Sequence, residues 1–363
     1  MLMPTIGGLT EGLRSQQTGG SSMDLRMSTL NLAQYPPARL IELARLQEAC
    51  GYETFWYTDE RFFREVYSGL TLAAIHTRKI KLGTMVTDPY TRHPALTAMA
   101  IATLDEVAEG RAVLGLGAGV AGFTAMQLVR RQPAQAMREA VTVVRQLLGG
   151  ATVDMHGQVI TLAHGRLDFQ PPRAHIPVYI ASNGRLGLAL AGEIAEGAVM
   201  QGAVAAPLVA WFVAQVQRGT QRGGRSVHEV DIVSRVNLCL HPDARVAKDV
   251  MRPAIARSLI AQYPHFHTFT TAGLEIPTHL QELIATVGYT HDSALLAPVA
   301  AQVPDAFVEA VTLAGTVEDV TTCVQRMAQQ GIKHIMVYPQ APDGDVERVL
   351  TSFAHEVISR VRA

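Results

Sequence analysis

Three short stretches of this chain carry groups that can do chemistry. In "YTDE", Asp59 and Glu60 set two carboxylates side by side after an aromatic and β-branched run. A carboxyl whose pKa is raised at a site can give or take a proton. The same Asp59 can instead cap a turn or a helix. In "LGLGAGVAG", Gly117, Gly119 and Gly122 stand in G-x-G-x-x-G register behind an apolar run. Backbone without Cβ atoms lets a flat ring or a phosphate come close; the plain alternative is that Gly115 and Gly117 only relieve crowding inside a sheet. In "IASNGRLG", Ala181, Ser182, Asn183 and Gly184 read as a turn into a helix beginning near Arg185. Free amides at such a helix start bind phosphate, and Arg185 adds a charge. An ordinary Asn-Gly turn with a capped helix would look the same.

The glycine pattern is the fingerprint of a dinucleotide site, but its setting is wrong for one. That fingerprint belongs to the first strand-to-helix turn of its domain. Here three strand–helix units precede it, and "FTAMQLVRRQP" is cut by Pro133 soon after. Glu139 lies near the offset of a ribose-binding acid, yet inside a helix rather than at a strand end. A Rossmann dehydrogenase is therefore disfavoured.

The elements around these stretches alternate. "RMSTLNL", "ETFWYT", "KIKLGTMV", "RAVLGLG", "IPVYIAS", "GAVMQ", "VDIVSRVNLCL" and "HIMVYP" read as strands. Helical patterns lie between them, such as "PARLIELARLQEACG" with Leu40, Leu43, Ala44, Leu46 and Cys50 on one side. About eight units over this length predict an α/β fold, a (β/α)8 TIM barrel with insertions; a doubly wound sheet with a cap is the competitor. Residues 1–22 are rich in Gly, Ser, Thr and Gln and read as a flexible tail, with a start near Met23 an option. Residues 23–363 then form a single barrel domain. It carries a hairpin insertion near 152–170, turning at Gly157, and an irregular insertion near 262–310 with Pro264, Pro277, Pro298 and Pro304 and scattered helical pieces.

Bulk properties narrow the function. The 363 residues are 48% hydrophobic and 17% charged, with a net charge of −1. That is ample for a large core and gives no basic face for nucleic acid. Cys50, Cys239 and Cys323 are far apart and odd in number, which fits a reducing cytoplasm better than a disulfide scaffold. No apolar run has membrane length, and the first residues lack the pattern of a signal peptide. His265, His267 and His291 lack a third and fourth partner in ligand spacing, so no metal site is expected; they read as lining a lid over substrate.

Four separated stretches, "YETFWYTDE", "IKLGTMVTDPYTRHPALTAMAIATLDEVAEGRAVLGLGAG", "IPVYIASNGRLGLALAGEIAEGAVM" and "VEAVTLAGTVEDVTTCVQRMAQQGIKHIMV", together resemble the luciferase-like flavin and deazaflavin oxidoreductases. Within that family they most resemble the branch of coenzyme F420-dependent methylenetetrahydromethanopterin reductase. The match covers most of residues 24–240 and 305–340. It implies a barrel that binds F420, or FMN as the alternative, at the carboxyl ends of its strands. Met85 and Val86 would be joined by a non-proline cis peptide behind the central ring, where residue types alone suggest an ordinary buried strand end. Thr84, Thr87 and Asp88 flank that point within reach of the ring. Gly117, Ala118 and Gly119 would shape the ring's seat. The phosphate would sit at Ala181–Arg185, where the general barrel rule would put it after later strands. Asp59 and Glu60 are the candidate catalytic pair, with Glu60 standing where the family often has histidine. A homodimer or larger homo-oligomer acting on a small organic substrate is implied.

Two departures from the relatives are visible. Val120 stands where an acid often follows the glycine run, and Ser28, Thr29 and Asn31 in the first strand are polar but not acidic. Both weaken pterin or sugar-phosphate chemistry. The expected function is hydride transfer between F420 (or FMN) and an organic substrate at the barrel mouth. The alternatives are an FMN-dependent monooxygenase using oxygen and a flavin-binding protein without turnover.

Overall fold

The computed structural model describes residues 25–119, 122–123, 125–288, 290 and 292–362. The tail expected over residues 1–22, together with Val120 and His291, lies outside the described residues. Among the described residues there are eleven strands: β1 (Arg26–Asn31), β2 (Thr54–Tyr57), β3 (Lys81–Thr84), β4 (Ala112–Leu116), β5 (Val153–His156), β6 (Thr161–Gly165), β7 (Val178–Ala181), β8 (Gly197–Gln201), β9 (Asp231–Leu240), β10 (Thr312–Gly315) and β11 (His334–Pro339). Eight of them, in the order β1-β2-β3-β4-β7-β8-β9-β11, pair in parallel and close on themselves through β11 and β1. This is the (β/α)8 barrel. Its strands are short and almost wholly buried because helices cover one face and the lumen fills the other.

The lumen is packed, not hollow. Leu30, Trp56, Met85, Val113, Val199, Val233 and Met336 form one apolar cluster there. Trp56 and Tyr179 meet edge to face across it, ring centroids 5.2 Å apart. The amino-terminal floor is polar and fully engaged. His334 bridges Ser28 Oγ (2.8 Å) and Asp231 Oδ2 (2.7 Å). Tyr179 donates to the same carboxylate at 2.9 Å, and Arg26 pairs with its other oxygen. A Ser–His–Asp chain thus exists, but Ser28 is completely buried.

Two features depart from a plain eightfold barrel. β5 and β6 form an antiparallel hairpin between β4 and β7. Its turn is held by Glu139, which accepts the amides of Gln158 (2.7 Å), Val159 (3.0 Å) and Ile160 (2.8 Å). Burial opposes the charge on Glu139, yet these bonds and that of Gln135 hold its carboxyl below the usual carboxylate range. The residue at the offset of a ribose-binding acid is therefore a clamp on the hairpin. The second feature is β10, which pairs with the far end of β9 through Asn237–Leu240. Between β9 and β10 the chain runs through Ala244–Gln262, His267–Thr271, Thr278–Ala285, Ser293–Ala300 and Asp305–Val311, so the helical pieces expected in 262–310 are four short helices joined by loops. Within it His267 packs edge to face on Trp211, ring centroids 4.8 Å apart.

Candidate active site at the barrel mouth

The carboxyl ends of the strands surround a cavity of about 490 Å³. The loop after β3 supplies Met85 and Val86, whose peptide bond is cis, and Val86 stands against the lumen cluster. The chain then resumes pairing, Thr87 beside Leu116. Opposite, the end of β4 supplies Gly117, Ala118 and Gly119. A Cβ on Gly117 would stand 2.5 Å from Val86 Cγ2, so only glycine keeps the slot between these two walls. Gly119 has φ +63°, the left-handed region that side chains resist. Ala181, Ser182 and Asn183 continue the wall from β7.

The turn after β7 suits an anion. Ser182 N donates to Val199 O at 3.0 Å, Asn183 Oδ1 accepts Gln201 N at 3.0 Å, and Ser182 Oγ accepts Gly184 N at 3.0 Å. The helix Arg185–Ile194 then begins with no side-chain cap, and its first backbone bond is Leu188 N to Gly184 O. The amides of its first turn have no acceptor within the helix. Gly184 has φ −105°, so the turn is extended at that point rather than a left-handed Asn-Gly turn.

Not every expected residue reaches the cavity. Glu60 lines it with Thr58 before it, while Asp59 between them does not, as neighbours on an extended chain face opposite ways. Asp59 is instead gripped by Arg61, 2.7 Å from its Oδ1, and Arg61 also pairs with Asp88. The two adjacent carboxylates therefore do not work as a pair. Asp88 is spent on its own turn, accepting Tyr90 N and Thr91 N at 2.9 Å. Thr84 is buried; its Oγ1 donates to Gly115 O (2.8 Å) and accepts Gly115 N (3.0 Å). Thr87 is also buried and touches the site through its backbone, its carbonyl accepting Gly117 N at 3.0 Å. Gly184 and Arg185 lie outside this cavity, and Arg185 opens on a separate groove.

Sequence reasoning missed Leu30, Leu32, Val199, Gln201, Arg130 and above all Arg235. Arg235 projects from β9 with its guanidinium 5.4 Å from the centre of the Tyr338 ring. Burial pushes its pKa down to about 10, against the pull of Tyr338 and Glu60. A lone arginine inside the apolar strand "DIVSRVNLCL" was the available signal, since a charge there must face something other than core. Among the described lining residues Glu60 is the one carboxylate, and Arg130 and Arg235 are the cations.

A family model described as luciferase-like monooxygenase matches residues 17–334. The chain is 30% identical to 5,10-methylenetetrahydromethanopterin reductase of Methanolobus tindarius over 83% of its own length and 90% of that protein. It is 31% identical to the reductase of the same name from Archaeoglobus fulgidus, over 82% and 89%. The structure of coenzyme F420 dependent tetrahydromethanopterin reductase from Methanopyrus kandleri superposes with a TM-score of 0.83 at 26% identity, covering 93% of this chain and 99% of that one.

Proposed function

The chain belongs to the luciferase-like monooxygenase family, and from that premise we propose an F420-dependent oxidoreductase that exchanges a hydride with a small organic substrate at the barrel mouth. One observation carries this reading. The slot between Met85–Val86 and Gly117–Gly119, which a Cβ would fill, reaches Ser182 and Asn183, the residues just before the uncapped helix start at Gly184. A slot for a flat ring that leads to an anion seat is what a deazaflavin phosphate requires, and its reductase relatives point the same way. The bound cofactor supplies the hydride chemistry. Gly117, Ala118 and Val86 orient the ring, while Leu30, Leu32 and Val199 keep water from its face. Glu60 is placed to hold or release the proton that accompanies hydride transfer.

The first strand offers the substrate no acid. In β1, Ser28 is tied to His334, Thr29 to Gln47, and Asn31 to Gln47 and the Trp56 carbonyl. None of the three brings an acid to the mouth, which leaves that task to Glu60.

Parallel titration of the purified protein with F420 and FMN tests the cofactor. Saturable binding of F420 is expected; binding of FMN alone would move the reading to an oxygen-using monooxygenase. A substrate panel that includes methylenetetrahydromethanopterin, followed by the deazaflavin's visible absorbance, tests turnover. With any substrate found, Glu60→Gln should lower turnover by about 10²-fold or more while leaving cofactor affinity in place. An unchanged rate would remove Glu60 from the chemistry.

A further inference from the structure

β9 carries a cation where the barrel is otherwise apolar. Val233 belongs to the cluster that fills the lumen. Side chains alternate along a strand, so Arg235 and Asn237 point the same way as Val233, each a step nearer the mouth. Arg235 lines the mouth cavity, one layer above the apolar plug. Its neighbours in register are Gln201 of β8 and Met336 of β11, neither of them charged. Among the described residues no carboxylate stands within ion-pair distance of its guanidinium and none accepts a hydrogen bond from it; it rests against the Tyr338 ring. Burial above all, and then the charge of Arg257, push its pKa down, while Tyr338 and Glu60 offset part of this. At about 10 it is still a cation at neutral pH. A desolvated charge without an anion beside it is costly, and a bound anion offsets that cost.

The surroundings say on which side the anion lies. Arg235, Asn183 and Gln201 line both the mouth and a small chamber behind it, which Asn237, Ser258 and Thr268 also line. That chamber measures about 20 Å³, room for a single water and too little for a carboxylate. Asn237 is buried and its Oδ1 has no hydrogen-bond partner, so the chamber calls for a donor, not an anion. The acceptor for Arg235 must therefore come from the mouth. Arg130, the other cation of the mouth, is already turned to the Gly119 carbonyl at 2.8 Å. Glu60 lines the same cavity, which disfavours a dianion such as phosphate. One planar guanidinium fork matches one flat carboxylate. We propose that Arg235 sets the substrate class of the mouth: a small molecule bearing a single carboxylate, held by the Arg235 guanidinium. The inference rests on the reading of the mouth as the substrate site and deepens it.

Calorimetric titration with benzoate and with its neutral isostere benzamide tests this, on the protein with and without F420. The wild type should bind benzoate about tenfold or more tighter than benzamide. Arg235→Gln should erase that preference by weakening benzoate alone, with F420 affinity unchanged. Arg235→Lys should keep part of the preference, since it retains the charge without the fork. Thermal melts report whether each variant folds; if the glutamine variant does not, the lysine variant and the wild-type comparison decide. Equal binding of the two probes by the wild type overturns the proposal, as does a preference that survives in Arg235→Gln. F420 affinity that falls together with benzoate affinity would assign the arginine to the cofactor and overturn it too. Inorganic phosphate binding more tightly than benzoate would overturn the carboxylate. If F420 itself does not bind, the cofactor reading fails, and the probe preference of the unloaded protein still decides the role of Arg235.

Discussion

At the scale of single residues, the site depends on atoms that are missing as much as on those present. Gly117 faces Val86 across the slot, and any side chain there would occupy the space assigned to the ring. Gly117→Val should weaken F420 binding by at least about tenfold, since methyl groups would stand in the cofactor's place. Its circular dichroism should stay that of the wild type, because the residue sits at the open end of β4. Unaltered affinity would show that the ring lies elsewhere. The residue identities at the mouth were partly legible beforehand. Glycines 117 and 119, the turn at 181–183, Met85, Val86 and Glu60 all line the cavity. Asp59, Thr84 and Thr87 do not, and the reason is that sequence shows residue type without direction. Asp59 could equally face a ligand or Arg61, and only the packed loop decides. Arg235 escaped notice because its strand was read for hydrophobic content, where one arginine in the middle of ten residues is easily passed over.

At the scale of elements, Glu139 anchors the hairpin between β4 and β7. One carboxylate satisfies three successive amides of the hairpin turn, and Gly157 lies so close that a Cβ there would strike it. Its folded pKa lies below the ordinary value. Its contribution is therefore present at neutral pH and is lost as pH falls through the unfolded and then the folded value. Glu139→Ala should cost about 2–3 kcal/mol, seen as a lower midpoint in urea, and should expose residues 157–160 to proteolysis. A midpoint within error of the wild type would show that the amides find other partners. The alternation of strands and helices was readable because parallel barrel strands are short apolar runs spaced by amphipathic helices. Two elements were not. β10 is four residues long and has no pattern of its own; it exists because β9 outruns β8 and leaves an edge to be paired. The stretch 262–310 seemed broken by proline, yet Pro277 and Pro304 sit at helix amino-termini, where a missing N–H costs nothing.

At the scale of the whole molecule, the polar floor ties strands from both halves of the chain. Asp231 of β9 holds Arg26 of β1, Tyr179 of β7 and His334 of β11. Burial raises its pKa, but the charge and hydrogen bond of His334, with Arg26 and Tyr179, outweigh this and hold it below the usual range. Stability from this group is thus complete above the unfolded value near 4 and drains away at lower pH. Asp231→Asn should lower stability at neutral pH by about 2–3 kcal/mol. It should also flatten the acid limb of a plot of melting temperature against pH. Parallel curves for variant and wild type would remove Asp231 from the acid transition. The floor lies at the end of the barrel opposite the mouth, so this substitution should leave cofactor affinity unchanged at temperatures where the protein is folded.

The seam of the barrel has a consequence for how the chain is made. β1 is the first strand to leave a ribosome, and one of its two neighbours, β11, is the last. Arg362, near the end of the chain, also reaches back to the carbonyl of Leu25, 2.8 Å away. Until β11 has been made, then, β1 waits with one edge unpaired, a template for any stray strand. The nascent chain must be shielded for that whole interval, and a ribosome that stalls before β11 releases an open sheet instead of a barrel.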